Sequence, residues 1–215
     1  MKKTKIILML AAVIAVAFAL TACNPIENET RSASMLIVEN LFGSDLEGND
    51  SNFLESDVLY QDEKTTTIYA DHGIGRLSAQ LLDPLSITGP SHLNDITVER
   101  YTVTYSRSDG RNVPGVDVPY SFDGQLSATI SIGSTVDVVL TLVRAAAKME
   151  PPLVNLHEGR DVGVLTVHAK VDFFGHDKVG HAVTATGYLT IYFANYVNEE
   201  ADSGGEAASA IRRFQ

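Results

Sequence analysis

The chain has 215 residues, 45% hydrophobic and 20% charged, with no tryptophan. That composition excludes a disordered polymer, a collagen-like repeat and a polytopic membrane protein, and the length suits one substantial core. Asp and Glu number 27 against 16 Lys and Arg, a net charge of −11, and such a surface repels phosphate backbones and argues against nucleic-acid binding.

The first segment is an address. Lys2, Lys3 and Lys5 make a basic start, and Ile6 to Leu20 follows as an uncharged apolar run of fifteen residues. A spanning helix needs roughly 20 apolar residues, whereas a secretory h-region needs about 7–15, so residues 1–22 are expected to be a signal peptide. The run ends in Leu20-Thr21-Ala22-Cys23, which resembles the lipobox of bacterial lipoproteins. The resemblance implies that the Cys23 thiol receives a diacylglycerol, that cleavage falls just before it, and that the new amine is acylated. Cys23 is the chain's single cysteine, so no intramolecular disulfide is possible, and lipidation would consume a thiol that is otherwise a liability outside the cytoplasm. Two or more acyl chains anchor a protein stably. Asn24, where an Asp favours inner-membrane retention in diderm bacteria of enteric type, points by the same resemblance to the outer membrane. Loss of the three lysines takes the 16 basic residues to 13 against 27 acidic, a net charge of −14.

Cys23 to Ser34 reads as the lipidated residue and a polar spacer, residues 35–197 as a single β domain, and 198–215 as an acidic, Gly/Ser-rich disordered tail. Strands are expected at 35–39, 58–60, 65–71 and 76–82. Gly73-Ile-Gly75-Arg-Leu-Ser78 approaches a dinucleotide fingerprint but leads into strand-like sequence, and reads as a turn between strands. Ile96 to Tyr105 alternates with a break in parity that a β-bulge near Glu99-Arg100 would repair. Ser108-Asp-Gly110 is a turn signal, and Val113 to Pro119 should run extended. Leu126 to Ile132 and Val136 to Leu142 alternate around Gly133-Ser134, which suggests a hairpin. Leu140 to Met149 reads as strand with a short helical turn, ended by Pro151-Pro152. The clearest pattern is Leu165 to Phe173 against Val183 to Phe193, a long antiparallel hairpin joined through Gly175 to His181.

Eight or nine such strands imply an all-β chain, an antiparallel β-sandwich of immunoglobulin-like or fibronectin-type-III-like architecture, with a partly closed barrel as the alternative. The segment from Val98 to Tyr196 resembles uncharacterised β-sandwich lipoproteins of the bacterial envelope through Arg100-Tyr-Thr-Val-Thr-Tyr105, Pro114-Gly-Val-Asp-Val-Pro119 and Phe174-Gly-His-Asp177. That resemblance implies no activity.

No nucleophile elbow or Walker loop is present, no catalytic residue is identified, and no cofactor is implied. His176, Asp177 and His181 in the hairpin loop could converge on a metal, although they match no ligand motif. Asp45 to Asp50 resembles the start of a calcium loop but places Asp50 where the turn glycine belongs. Tyr188 and Tyr192 fall on the wet parity of the last strand with threonines between them, a possible ligand face for a sugar or a partner. The chain is therefore expected to be a membrane-anchored, non-enzymatic envelope lipoprotein that contacts a protein or envelope component. A carbohydrate- or metal-binding module is the alternative.

Overall fold

The computed structural model describes residues 31–61, 66–85, 89–157 and 163–196. The expected signal peptide, Cys23, most of the spacer and the tail lie outside the described residues. Among the described residues, eleven strands and two short α-helices follow in chain order: β1 (Ser34–Ser44), β2 (Asp50–Ser51), β3 (Phe53–Asp57), β4 (Tyr60–Gln61), β5 (Thr66–Thr67), β6 (Asp71–Leu81), β7 (Ile96–Ser106), β8 (Phe122–Ile130), β9 (Thr135–Val143), α1 (Ala145–Lys148), α2 (Leu153–His157), β10 (Leu165–Asp177) and β11 (Ala182–Ala194), with a 3-10 turn at His92–Asn94 between β6 and β7. They form a sandwich of two sheets, ordered β2-β1-β6-β9 and β3-β11-β10-β7-β8, with β4-β5 as a small ribbon. One sheet is curled into a half-barrel.

The alternation of β10 and β11 buries Val167, Ala169, Val171 and Phe173 against Leu189, Ile191 and Phe193, which with the inner residues of the other strands make one core. β7 carries the expected bulge. Against β10, Arg100 pairs with Phe174 and Val98 with Gly175, so Glu99 is the extra residue. Two β7 tyrosines then tie the sheets together. Tyr101 Oη accepts the Thr141 N–H at 2.9 Å, and Tyr105 Oη donates to the Leu142 carbonyl at 2.6 Å. Burial pushes the Tyr105 phenol well above its ordinary value.

Several local expectations are corrected. β8 and β9 do not form a hairpin, because they belong to different sheets and Ile132 bridges to Ala79 instead. Alternation says that one face is buried, and an arch between layers satisfies it as well as a hairpin does. The Gly73-Ile-Gly75 stretch is not a turn but lies inside β6, where a Cβ on Gly75 would stand 3.1 Å from the Phe173 ring. The segment from Val113 folds on itself, the Val116 N–H donating to the Val113 carbonyl at 3.1 Å with Gly115 at φ +76°. Of the strand expected at 58–60 only Tyr60 lies in one, opening β4, and Phe53–Asp57, for which no strand is expected, pairs in parallel with β11. Leu140 to Met149 divides as strand to Val143 and then α1. Ser32 and Ser34, read as spacer, are buried, and Ser34 opens β1.

Candidate functional site

The outer face of the five-stranded sheet carries the polar parity of β10 and β11. Cross-strand pairs there are Thr166–Tyr192, His168–Thr190, Lys170–Tyr188, Asp172–Thr186 and Phe174–Thr184. Tyr188 is 68% exposed. Around it the polar groups are pinned: Lys170 pairs with Asp172 at 2.8 Å, and Thr186 Oγ1 donates to the same carboxylate at 2.5 Å. Burial raises the Asp172 carboxyl, but the hydrogen bonds from Lys170 and Thr186 outweigh it and hold the group below its ordinary value. Arg100 lies over the Phe174 ring at 4.1 Å. Tyr192 differs from Tyr188. It is half-buried, and its ring meets that of Phe53 edge-on, centroids 5.8 Å apart. Four residues of strand also separate the two tyrosines by about 13 Å, with the His168–Thr190 pair between, so no single sugar ring touches both.

The hairpin loop is organised around Asp177. Its Oδ1 accepts the N–H groups of Val179 at 3.0 Å and His181 at 2.9 Å, and its Oδ2 lies 2.9 Å from His181 Nδ1. Burial alone would raise this carboxyl. The His181 backbone and ring, then the Ser32 hydroxyl, lower it to about 2. His176 turns elsewhere: Nδ1 meets the Asp177 carbonyl at 2.8 Å, and Nε2 meets Glu99 Oε1 at 3.0 Å. The Asp177 carbonyl, followed by Glu99, holds the His176 imidazole above its ordinary value. The bulge in β7 is what brings Glu99 there. Among the described residues, no three His, Cys, Asp or Glu side chains gather to hold a metal ion. The two imidazoles serve the hairpin tip separately. Asp45 likewise closes a turn, accepting N–H bonds from Glu47 at 3.0 Å and Asn49 at 2.8 Å.

The sequence reading missed a buried ionic cluster at the opposite end of the sandwich. Lys148, 1% exposed, donates from Nζ to the Asp57 carbonyl at 2.7 Å and to Asp71 Oδ1 at 2.9 Å. Ser56, fully buried, donates to Asp71 Oδ2 at 2.5 Å. Burial raises the Asp71 carboxyl, and Lys148 pulls against it. The residue types suit nucleophilic chemistry, but hydroxyl and amine are enclosed by protein, and the cluster joins β3, β6 and α1. It is a strut.

A pocket of about 280 Å³ opens at the same end, with Arg107, Arg111, Val116, Leu156, Val164 and Leu165 among its walls. Both arginines clasp Asp109, at 2.6 and 2.9 Å, and hold that carboxyl far below its ordinary value. Their donors are thus partly spent on a loop carboxylate. Among the described residues no helix is long and apolar enough to cross a membrane. No protein-family model matches the chain, and no curated protein matches it.

Proposed function

We propose that the chain is a lipid-anchored lipoprotein of the cell envelope whose β-sandwich is a non-enzymatic contact module, held at the outer membrane where the source has two. Leu20-Thr21-Ala22-Cys23 after a short apolar run supports the anchor. The contact reading rests on one observation: Tyr188 stands on the outer face of the five-stranded sheet, 68% exposed among pinned polar groups. A rigid aromatic ring amid ordered hydrogen-bonding groups is the composition of a recognition surface for a protein partner. An envelope sugar is the second reading, favoured by the open Tyr188 ring face beside Thr186 and Lys170.

The test is made in intact cells. A photo-crosslinking residue at Tyr188 should give a discrete adduct that the same residue at Val139, 70% exposed on β9 of the other sheet, does not give. A protein adduct supports the first reading and a glycan adduct the second; equal yields at both positions overturn the contact face. In parallel, Cys23→Ala should abolish lipid labelling and release the protein from membranes. A variant that stays membrane-bound with normal signal cleavage overturns the anchor.

A further inference from the structure

The described chain enters the sandwich at one end, and that end is ringed by aliphatic side chains. Ala33 accepts the Leu82 N–H at 2.9 Å, Ser34 Oγ donates to the Asn94 carbonyl at 2.8 Å, and the Ser32 hydroxyl bonds the Asp177 carboxylate. Leu82 and Leu85 follow β6 on one side of this entry, 52% and 88% exposed. Leu93 and Val179 lie on the other, both 60% exposed, and the Lys178 N–H donates to the Leu93 carbonyl at 3.2 Å to join their two turns. Four large aliphatic side chains in water around one point have a cost that folding does not require.

The distance from the acylated residue decides what can cover them. Residues 24–31 span at most about 28 Å when fully extended. β10 runs thirteen residues from Leu165 to Asp177, so about 40 Å separate the entry end from the end bearing Arg107 and Arg111. The tether is shorter than the sandwich is long, and the far end lies beyond reach of the bilayer whenever the entry end is nearest it. Electrostatics does not supply the contact, because the processed chain carries −14 and an anionic surface repels it. The flanks of the five-stranded sheet present threonines and paired charges, whereas the entry end presents leucine and valine beside Asp83, His92 and Lys178.

Resting on the reading that Cys23 is acylated, we propose that this end is a membrane-contact surface. Leu82, Leu85, Leu93 and Val179 enter the boundary between headgroups and acyl chains of the bilayer that holds the anchor. The sandwich then stands on the membrane with its strands pointing away from it.

The test uses the full, processed protein. Acylation consumes Cys23, so Leu93→Cys, Val179→Cys and Val116→Cys each carry one free thiol, and Val116, 65% exposed, lies by the far pocket. Each is reconstituted into phosphatidylethanolamine–phosphatidylglycerol vesicles and treated with a membrane-impermeant maleimide before and after detergent, and its lipid content is read by intact mass. Val116→Cys measures the outward-facing fraction. Relative to it, the thiols at 93 and 179 should lose labelling in vesicles and regain it in detergent. Lipid-bearing variants that label at 93 and 179 as fully as at 116 overturn the membrane contact while leaving the anchor intact. A mass without added lipid overturns the anchor, and the contact with it.

Discussion

Lys148 offers the sharpest test of how the sandwich is held together. Replacing it with Met keeps the aliphatic stem and removes the ammonium, which leaves Asp71 buried with Ser56 as its remaining donor. Removing one partner of a buried ion pair costs about 3–5 kcal/mol. Because the Asp71 side chain retains 17% exposure and can relax toward water, the lower end, about 3 kcal/mol, is expected at neutral pH. The loss should depend on pH in a set direction. Burial already raises the Asp71 carboxyl, and Lys148 opposes that rise, so without Lys148 the folded-state value climbs further. A carboxyl raised on folding binds its proton more readily in the native state, so lowering the pH through that raised value restores stability. Lys148→Met should therefore be most damaging at neutral pH and least damaging in mild acid. The assay is urea unfolding of both proteins across that range, followed by far-ultraviolet circular dichroism because the chain has no tryptophan. A neutral-pH loss under about 1 kcal/mol, or one that grows as the pH falls, refutes the strut.

Two further outcomes follow from the same contacts. Asp177→Asn should lower stability by about 1.5–3 kcal/mol at neutral pH, the range for hydrogen bonds to a charged group. The carboxyl drops from 3.8 to about 2 on folding, so its contribution is full above 3.8, and the difference between the proteins in urea titrations should disappear as pH falls through about 2. Gly187→Ala should lower the unfolding midpoint by the equivalent of about 1–3 kcal/mol, because a Cβ there would stand 2.8 Å from both Val38 Cγ1 and Leu41 Cδ1 where β1 presses on β11; an unchanged midpoint would mean that the contact yields freely.

How far the fold was legible depends on the range over which each feature is specified. The β10–β11 hairpin was readable because both strands alternate over nine residues or more and each has one wet face. The bulge was readable for the same reason, since a break in parity at Glu99 is a local signal. The β8–β9 arch was not, because the choice between pairing in one sheet and crossing to the other is made by Ile132 meeting Ala79, 53 positions earlier. Lys148 gave no warning at all. A lysine after an alanine run reads as a solvated helix face, and only the Asp57 carbonyl and Asp71, 91 and 77 positions away, make its burial tolerable. The histidine loop stands between these cases. Spacing correctly placed His176 and His181 at one hairpin tip, but not that Glu99 from the neighbouring strand would draw His176 away from Asp177's carboxylate.

The proposed anchor and the contact face constrain each other. Tyr188 lies six residues along β11 from Ala182, about 20 Å from the entry end. If that end rests on the bilayer, the Tyr188 face stands upright at roughly that height and looks sideways, parallel to the membrane. A partner buried in lipid could not reach it, whereas one that projects from the same membrane by a similar distance, or that diffuses in the adjoining compartment, could. The polar character of the face fits that position, since threonines and paired charges would be costly against acyl chains but suit a wet lateral interface. On the proposed anchoring, the aliphatic side chains at the entry end would meet lipid below, and the hydrogen-bonded face along the flank would meet an aqueous neighbour at the side.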